Sequence, residues 1–416
     1  MSLYKVHVEG YGCSLNKAET YYILSELKKA GFAISDYSKA SVVVINTCAV
    51  KNPTESRMIS RIKKALQDNK RVVVAGCLPD VNPKLLERYP VSIINARSLS
   101  RIAVAVKETA QGRIVKYTSG KKPIVPVGDQ PGITGIIPIS EGCLGKCAYC
   151  GTKNARGSLY SYPPKIIKQA FEKMVLEGKK EIFLTSQDTG CYGFDIKTSI
   201  TKLVKNLLET EGDYLIRIGM MNPDHALKML PDLAKTLNNQ KVYSFLHVPV
   251  QSGSDKVLRE MNRFYTRQDF LNIVKYCREN VPGITIATDV IVGFPTETEK
   301  DYLDTLSLLK TAEPDVTNVS KFYPRPNTAA EKMKKIKTEV IKERSRKLST
   351  LVRRISLARN KKLVGETLEC LSLSDKTGRT RAYKTVFFDK TVTPRAWVNA
   401  LITGAGPAHL KAKVLY

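Results

Sequence analysis

Glu141-Gly142-Cys143-Leu144-Gly145-Lys146-Cys147-Ala148-Tyr149-Cys150 places three thiols within eight residues, at the spacing C-x3-C-x2-C. No fourth cysteine follows nearby. Three thiolates can hold three corners of a cubane iron–sulfur cluster and leave one iron without a protein ligand. An open coordination position is where a metal site performs chemistry as well as holding a fold. Gly142 and Gly145 let the loop bend closely around a bulky guest, since glycine carries no Cβ penalty. Tyr149 is placed to shield one face from water. Two blander readings compete. One is a buried apolar loop that happens to be cysteine-rich; the other is a zinc knuckle, which wants four ligands in two pairs.

Outward from this loop, strands and helices alternate. Ile136–Ile139 reads as a strand leading into the cysteines, and Pro163–Glu177 as a helix with proline in its first turn. Strands follow at Lys180–Thr185, Tyr214–Gly219, Val242–Val248, Ile284–Val292 and Val316–Phe322, with helices at Ser199–Leu208, His225–Leu237, Thr266–Asn280 and Glu299–Thr311. Six strands alternating with helices predict a partial β/α barrel, whose chemistry sits at the carboxyl ends of the strands. Polar residues gather at those ends. Gln187, Gln251 and Asp289 interrupt apolar strand termini and are the candidates for holding a ligand. Asp188 and Thr298 also fit ordinary helix caps.

Upstream, Tyr4–Glu9, Ser41–Asn46 and Arg71–Ala75 read as strands, with helices at Asn16–Ala30 and Lys51–Asp68. The short apolar runs predict a doubly wound α/β domain built on a buried parallel sheet. Cys13, Cys48 and Cys77 each follow the carboxyl end of one of these strands. Such ends lie on one edge of the sheet, where ligands bind. Three thiols about thirty residues apart are therefore expected to converge. The alternative is three core cysteines, which are common. Arg113–Gly132 is punctuated by Gly120, Pro123, Pro126, Gly128 and Pro131 and carries Lys121 and Lys122, so it reads as a linker.

Downstream, Lys332–Lys362 predicts a long basic helix that packs on one side. Thr367–Leu373, Arg379–Phe388, Ala396–Ile402 and His409–Leu415 then predict a small antiparallel β-barrel of OB-like style. Lys376, Arg379, Arg381 and Lys384, with Tyr383, give it basic and stacking groups suited to RNA. The expected partition is 1–112, a linker 113–133, 134–355 and 356–416.

The net charge of +28, from 67 Lys and Arg against 39 Asp and Glu, points to a polyanionic partner. No run approaches the ~18 apolar residues of a membrane span. The start reads as a strand and not as a signal peptide. A cytoplasmic, reducing setting is the default, so the nine cysteines read as ligands or core packing and not as disulfides. Cys277 and Cys370 read as core; Cys191 has no partner thiols and reads as a spectator. The four histidines show no ligand pairing, although His247 ends a strand near the candidate ligand residues.

Together these residues resemble the radical S-adenosylmethionine (SAM) enzymes, whose signature is C-x3-C-x2-C opening a β/α barrel. The upstream three-cysteine domain and the basic C-terminal barrel resemble the methylthiotransferase branch, with its TRAM domain. Tyr11-Gly12-Cys13-Ser14, Asn46-Thr47-Cys48-Ala49-Val50-Lys51-Asn52-Pro53, Thr152-Lys153-Asn154-Ala155-Arg156-Gly157, Leu184-Thr185-Ser186-Gln187-Asp188-Thr189-Gly190 and Phe322-Tyr323-Pro324-Arg325-Pro326 are similar to its archaeal and eukaryotic tRNA subgroup. Asn327 and Thr296 stand where that family usually has glycine.

The resemblance covers essentially the whole chain. It implies conversion of N6-threonylcarbamoyladenosine beside the tRNA anticodon to its 2-methylthio form. It implies two [4Fe-4S] clusters, on Cys143, Cys147 and Cys150 and on Cys13, Cys48 and Cys77, the first binding SAM and the second carrying sulfur. The adenine C2–H bond is strong and unactivated, so a radical cofactor is expected. Gln187, Asp188, Gln251 and Asp289 are the expected SAM contacts, and the anticodon stem-loop, an electron donor and a sulfur donor the expected partners of a monomer, with the TRAM-like barrel and the basic Lys332–Lys362 helix expected to hold tRNA mainly through phosphates. Two rivals stand beside this reading: the same chemistry on a ribosomal protein side chain, and a non-catalytic RNA-binding protein with structural zinc.

Overall fold

The computed structural model describes residues 4–48, 52–120 and 127–415. Met1–Leu3 of the expected first strand, Ala49, Val50 and Lys51 of the quoted motif, and Lys121, Lys122, Pro123 and Pro126 of the expected linker lie outside them, as do the side chains of Asn52 and Pro53.

The N-terminal sheet is built from β1 (Lys5–Gly10), β2 (Ala33–Ile34), β3 (Val42–Thr47), β4 (Arg71–Gly76), β5 (Ser92–Asn95) and β6 (Lys116–Tyr117). Between them run α1 (Ser14–Lys29), α2 (Asn52–Gln67), the one-turn α3 (Leu78–Val81) and α4 (Pro83–Leu86), and α5 (Ile102–Ala110). All pairs are parallel, in the order β2-β1-β3-β4-β5-β6. The unbroken Val-Val-Val-Ile run of β3 follows from burial on both faces. Val42 and Val44 pack with Ile23 and Leu27 of α1 and Ile102 of α5, while Val43 and Ile45 pack with Met58 and Ile62 of α2. Strand order reverses between β1 and β3, which makes their carboxyl ends a switch point for ligands. Neither β5 nor α5 was expected from sequence. The first is four residues long, and the second begins as the apolar run Ile-Ala-Val-Ala-Val, which gives no clear period.

The next segment holds β7 (Thr134–Pro138), β8 (Ser140–Glu141), α6 (Thr152–Arg156), β9 (Tyr160–Ser161), α7 (Pro164–Leu176), β10 (Glu181–Thr185), α8 (Ile200–Leu207) and β11 (Leu215–Ile218). It continues through α9 (Pro223–Lys228), α10 (Leu230–Leu237), β12 (Phe245–His247), α11 (Asp255–Glu260), α12 (Arg267–Asn280), β13 (Thr285–Val292), α13 (Glu299–Ala312) and β14 (Val316–Lys321). β8 and β9 pair antiparallel and frame the cysteine loop. β12, β13 and β14 form a parallel sheet. The single helix expected over 225–237 is two, broken at Met229, which caps α10 with φ −129°. Thr266 and Thr298 each close a capping box with the aspartate three residues on, so Thr298 caps α13.

α14 (Thr338–Lys361) begins six residues later than expected. Then β15 (Thr367–Ser372), β16 (Thr377–Thr380), β17 (Thr385–Phe388), β18 (Trp397–Ala405) and β19 (Leu410–Leu415) close into a barrel in the order β15-β16-β17-β19-β18. The run Arg379–Phe388, expected as one strand, is a hairpin whose tip includes Tyr383 at φ 62°. One pair, β17 with β19, is parallel because the whole of β18 intervenes between them.

The chain divides into two compact units: Met1–Lys173 with Phe183–Gln187 and Tyr323–Glu331, and Met174–Ile182 with Asp188–Phe322 and Lys332–Tyr416. Both cysteine triplets fall in the first. Among the described residues no helix is long and apolar enough to cross a membrane.

Candidate cluster and ligand sites

In the first unit β1, β3 and β4 lie side by side, and their ends bring Cys13, Cys48 and Cys77 together. A Cβ on Gly12 would lie 2.6 Å from Cys48 Cβ, so glycine is required for that approach. Cys48 and Cys77 are buried, and Cys13 is open to solvent on one side while protein packs around its thiol. A hydrogen bond from Cys48 draws the Cys13 thiol down to about 6, with Asn16 N–H and Arg156 assisting and burial opposing. Burial pushes the Cys77 thiol up to about 11 against the pull of Arg156.

Arg156 had no assigned role in the sequence reading. It is 1 % exposed and stands at the end of α6, just past the other cysteine loop. Its Nε and Nη2 donate to Cys77 Sγ at 3.2 and 3.1 Å. Nη2 also donates to Glu19 Oε2 at 2.9 Å, and Nη1 donates to Glu19 Oε1. Glu141, which opens the quoted stretch, lies 3.9 Å from Nη1 and accepts from the Tyr162 hydroxyl at 3.1 Å. Position alone could have flagged it: an arginine in the short stretch Thr152–Gly157 directly after three cysteines. Arg325 was also unassigned. Its Nη1 donates to Glu55 Oε2 at 2.8 Å. The neighbouring Asn327 takes φ 61°, a left-handed region that asparagine tolerates.

Cys143, Cys147 and Cys150 are each partly exposed. Gly145 N–H donates to Cys143 Sγ at 3.1 Å, and a Cβ on Gly145 would sit 3.3 Å from Cys143 Sγ and 3.6 Å from Cys147 Sγ. Two sulfurs therefore point to one side of the loop. Gly142 has φ 72°, and a Cβ there would meet Ser158 O at 2.0 Å. Lys153 donates to Cys143 O, tying α6 back to the loop. This all-thiol donor set, with backbone N–H and guanidinium donors aimed at sulfur, fits iron–sulfur clusters.

The candidate ligand residues differ in their surroundings. In the first unit, Gln187 Oε1 is buried and accepts no hydrogen bond from the described residues. In the second, Gln251 takes φ 68°, and its N–H donates to Asp289 O at 2.8 Å. Asp289 is held by His247 Nε2 at 3.1 Å and by Asn318 Nδ2 at 2.7 Å. Asp188 Oδ1 accepts from Gly190 N–H and Asn222 N–H at 3.0 and 3.1 Å, and Oδ2 meets His225 Nδ1 at 2.8 Å. Both its oxygens thus fasten the loops after β10 and β11. Cys191 joins this group, with Sγ donating to Asp188 O at 3.2 Å, so it and His225 are less isolated than their sequence positions suggest.

Of the four basic residues expected to face RNA, three are engaged inside the second unit. Arg379 Nη1 donates to Glu181 Oε1 at 2.6 Å, where the Tyr243 hydroxyl also binds. Arg381 Nε donates to Glu369 at 2.7 Å and Nη1 to Gln240 O. Lys384 Nζ donates to Asp315 Oδ1 and Asn360 Oδ1, both at 2.9 Å. Burial raises the Asp315 carboxyl, yet Lys384 and Arg359 hold it below its ordinary range. Tyr383 lies 4.7 Å from the Phe245 ring, with the Arg217 and Arg379 guanidiniums 4.8 and 4.3 Å from its own ring. The hairpin tip thus docks against residues at the amino ends of β10, β12 and β14, beside a crevice of about 280 Å³. Only Lys376 of the four is an exposed cation.

Residues 137–309 match the radical SAM superfamily, and residues 5–94 match the uncharacterized protein family UPF0004. The chain is 41 % identical over 374 residues to the probable threonylcarbamoyladenosine tRNA methylthiotransferase of Pyrococcus horikoshii, covering 88 % of each. It is 38 % identical to the one of Methanocaldococcus jannaschii, covering 92 % of this chain and 91 % of the relative. With the human threonylcarbamoyladenosine tRNA methylthiotransferase it shares 40 % identity over 83 % of this chain, which spans 62 % of that relative's length. The fold resembles that of the radical SAM methyltransferase TsrM from Kitasatospora setae, at TM-score 0.59 and 15 % identity, over 80 % of this chain and 77 % of that one. On the strength of these relatives, the chain belongs to the threonylcarbamoyladenosine tRNA methylthiotransferase family.

Proposed function

We infer that this chain is a radical SAM enzyme that adds a methylthio group to C2 of N6-threonylcarbamoyladenosine, next to the anticodon of tRNA. The observation that carries the reading is the convergence of Cys13, Cys48 and Cys77 at three adjacent strand ends, in a chain that also has the C-x3-C-x2-C loop. Residues 1–112 are the sulfur-inserting domain, 113–133 a linker, 134–355 the radical SAM domain and 356–416 the TRAM-like barrel. Cys143, Cys147 and Cys150 would hold one [4Fe-4S] cluster and Cys13, Cys48 and Cys77 a second. When bound, these groups supply one-electron reduction of SAM and a sulfur atom for insertion, with SAM also the methyl source.

The protein's own work is to bind, orient and enclose. Gly145 N–H supports the Cys143 thiolate, and Arg156 sets its charge against Cys77 within a buried frame of Glu19 and Glu141. Among the candidate SAM contacts, Gln187 has a buried carbonyl that accepts no hydrogen bond from the described residues, and Asp289 is oriented by His247 and Asn318. Gln251 adds its side chain from a left-handed turn beside Asp289. Asp188 orients neighbouring loops. The protein acts as a monomer in the cytoplasm, with electron and sulfur donors supplied from outside.

The test is incubation of anaerobically reconstituted protein with reductant, SAM and tRNA that carries or lacks the threonylcarbamoyl group. Nucleoside mass spectrometry should show a methylthio mass gain only on the modified tRNA, and no gain there defeats the reading. Iron analysis bears on the two-cluster assignment. About eight irons per chain are expected, falling to about four in Cys13→Ala and in Cys143→Ala; zinc in their place supports the non-catalytic rival.

A further inference from the structure

The tip of the C-terminal hairpin offers little unpaired positive charge. Arg379, Arg381 and Lys384 already face carboxylates there. Arg359 likewise faces Asp315, and the buried Arg344 faces Glu297 and Glu299. Such pairs hold the fold and leave little charge for a partner, yet the chain carries a net charge of +28. The unneutralised cations must be sought elsewhere.

Exposed cations concentrate along α14, most of them without a carboxylate partner. At 100° per residue, Lys342, Arg346, Lys347, Arg353, Arg354 and Lys361 fall within about 140° of one another, on the side opposite the buried Leu348 and Val352. All six are exposed. From Lys342 to Lys361 the stripe runs about 28 Å at 1.5 Å per residue. Its centre is a cleft of about 330 Å³ between α13 and α14. Leu306 and Leu351 contribute apolar walls, Thr350 a hydroxyl, and Lys310, Arg346, Lys347 and Arg354 the cations. No carboxylate lines it. Among the described residues Lys310, Arg346 and Arg354 have no carboxylate within ion-pair distance, whereas Lys347 is paired with Glu343 at 2.7 Å.

We propose that this cleft, and the α14 stripe running through it, is the seat of the tRNA phosphate backbone. The inference rests on the tRNA-modifying reading and assigns its docking surface. A row of cations spread over several turns matches a polyanionic chain better than a single anion. Arginine forks suit phosphate oxygens, the Thr350 hydroxyl adds a neutral donor, and such contacts fix register without reading sequence. The TRAM-like barrel then contributes through Lys376 and its attachment to α14, and not through the hairpin arginines.

The test measures binding of a tRNA transcript to the full-length protein by fluorescence anisotropy, between about 50 and 200 mM salt. Each phosphate contact contributes about 0.7–0.9 to the slope of log K against log salt. The triple variant Lys310→Gln, Arg346→Gln, Arg354→Gln should lower that slope by about two to three and weaken binding at least about tenfold at the low-salt end. Unchanged affinity and slope in a folded triple variant overturn the proposal. If the triple variant melts early, Lys310→Gln and Arg354→Gln are read singly, each expected to remove about one unit of slope; two unchanged slopes overturn it as well. A parallel arm uses vesicles rich in phosphatidylserine. Loss of vesicle binding with tRNA binding intact assigns the cleft to lipid and also overturns the proposal. Catalysis is scored separately. A wild-type protein that binds tRNA through the cleft but adds no methylthio group leaves the docking surface standing and defeats only the catalytic reading.

Discussion

At the scale of single residues, Arg156 ties the candidate cluster ligand Cys77 to two buried carboxylates. A guanidinium at 1 % exposure is sustained only by its partners, here Glu19, Cys77 and Glu141. Removing one member of such a set leaves the others charged and dry. Arg156→Ala should therefore destabilise the cluster-free protein by about 3–5 kcal/mol in urea unfolding. Glu19→Gln with Arg156→Met should recover part of that loss, because Glu141 is then the one carboxylate of the set left without its cation. Gly142 makes a different demand. Its φ of 72° and the 2.0 Å approach of Ser158 O exclude any side chain. Gly142→Ala should cost about 1–3 kcal/mol and reduce iron retained on anaerobic reconstitution; full iron and an unshifted melt would contradict this.

At the scale of elements, caps and pairings decide where each functional residue stands. Asp301 closes the capping box at the start of α13, accepts from the Ser254 hydroxyl at 2.6 Å and meets Lys256 at 3.2 Å. Burial alone would raise its carboxyl, yet Ser254, Thr298 and Lys256 hold it well below the ordinary 3.8. A carboxyl lowered in the folded state stabilises the fold at pH values above its unfolded value, and that stabilisation is lost as pH falls through the folded value. Thermal melts should show Asp301→Asn destabilised at pH 7, with the gap to wild type narrowing as pH drops below about 4. A constant gap would assign the effect to packing. The hairpin tip of the C-terminal barrel follows the same logic. Glu181 is 1 % exposed and binds both Arg379 and Tyr243. Arg379→Ala should cost about 3–5 kcal/mol and increase hydrogen exchange in β16 and β17. A residue that served only RNA would leave both unchanged.

At the scale of the whole molecule, excess positive charge is spread over a scaffold whose internal ion pairs neutralise part of it. Affinity for tRNA should therefore fall steeply with salt, while thermal stability of the free protein should depend on salt only weakly, since the pairs at Asp315 and Glu181 are buried and poorly screened. Parallel salt dependence of both quantities would argue that exposed charges hold the fold. The two compact units each combine segments distant in sequence. Tyr323–Glu331 joins the first unit, where Arg325 meets Glu55 across 270 positions. No local pattern announces such a pairing.

Much of the architecture was legible because it rests on local rules. Buried parallel strands are unbroken β-branched runs, so β3 and β4 were visible within one residue of their limits. The C-x3-C-x2-C loop is local by construction. Cys13, Cys48 and Cys77 were inferable as a set because parallel strands force their carboxyl ends to one edge. The short β5, the break at Met229 and the parallel pairing of β17 with β19 were not legible, since each depends on what packs beside it. The same limit applied to charge. Sequence gives the number of cations but not which of them meet a carboxylate. Arg379, Arg381 and Lys384 read as three cations in the sequence, and folding pairs them with Glu181, Glu369 and Asp315. Arg156 read as one residue of a motif until folding set it between Cys77 and Glu19. Periodicity and ligand spacing are properties of the chain and were readable from it alone. Charge pairing acts over a few ångströms between residues tens to hundreds apart in sequence, so only the tertiary structure decided it.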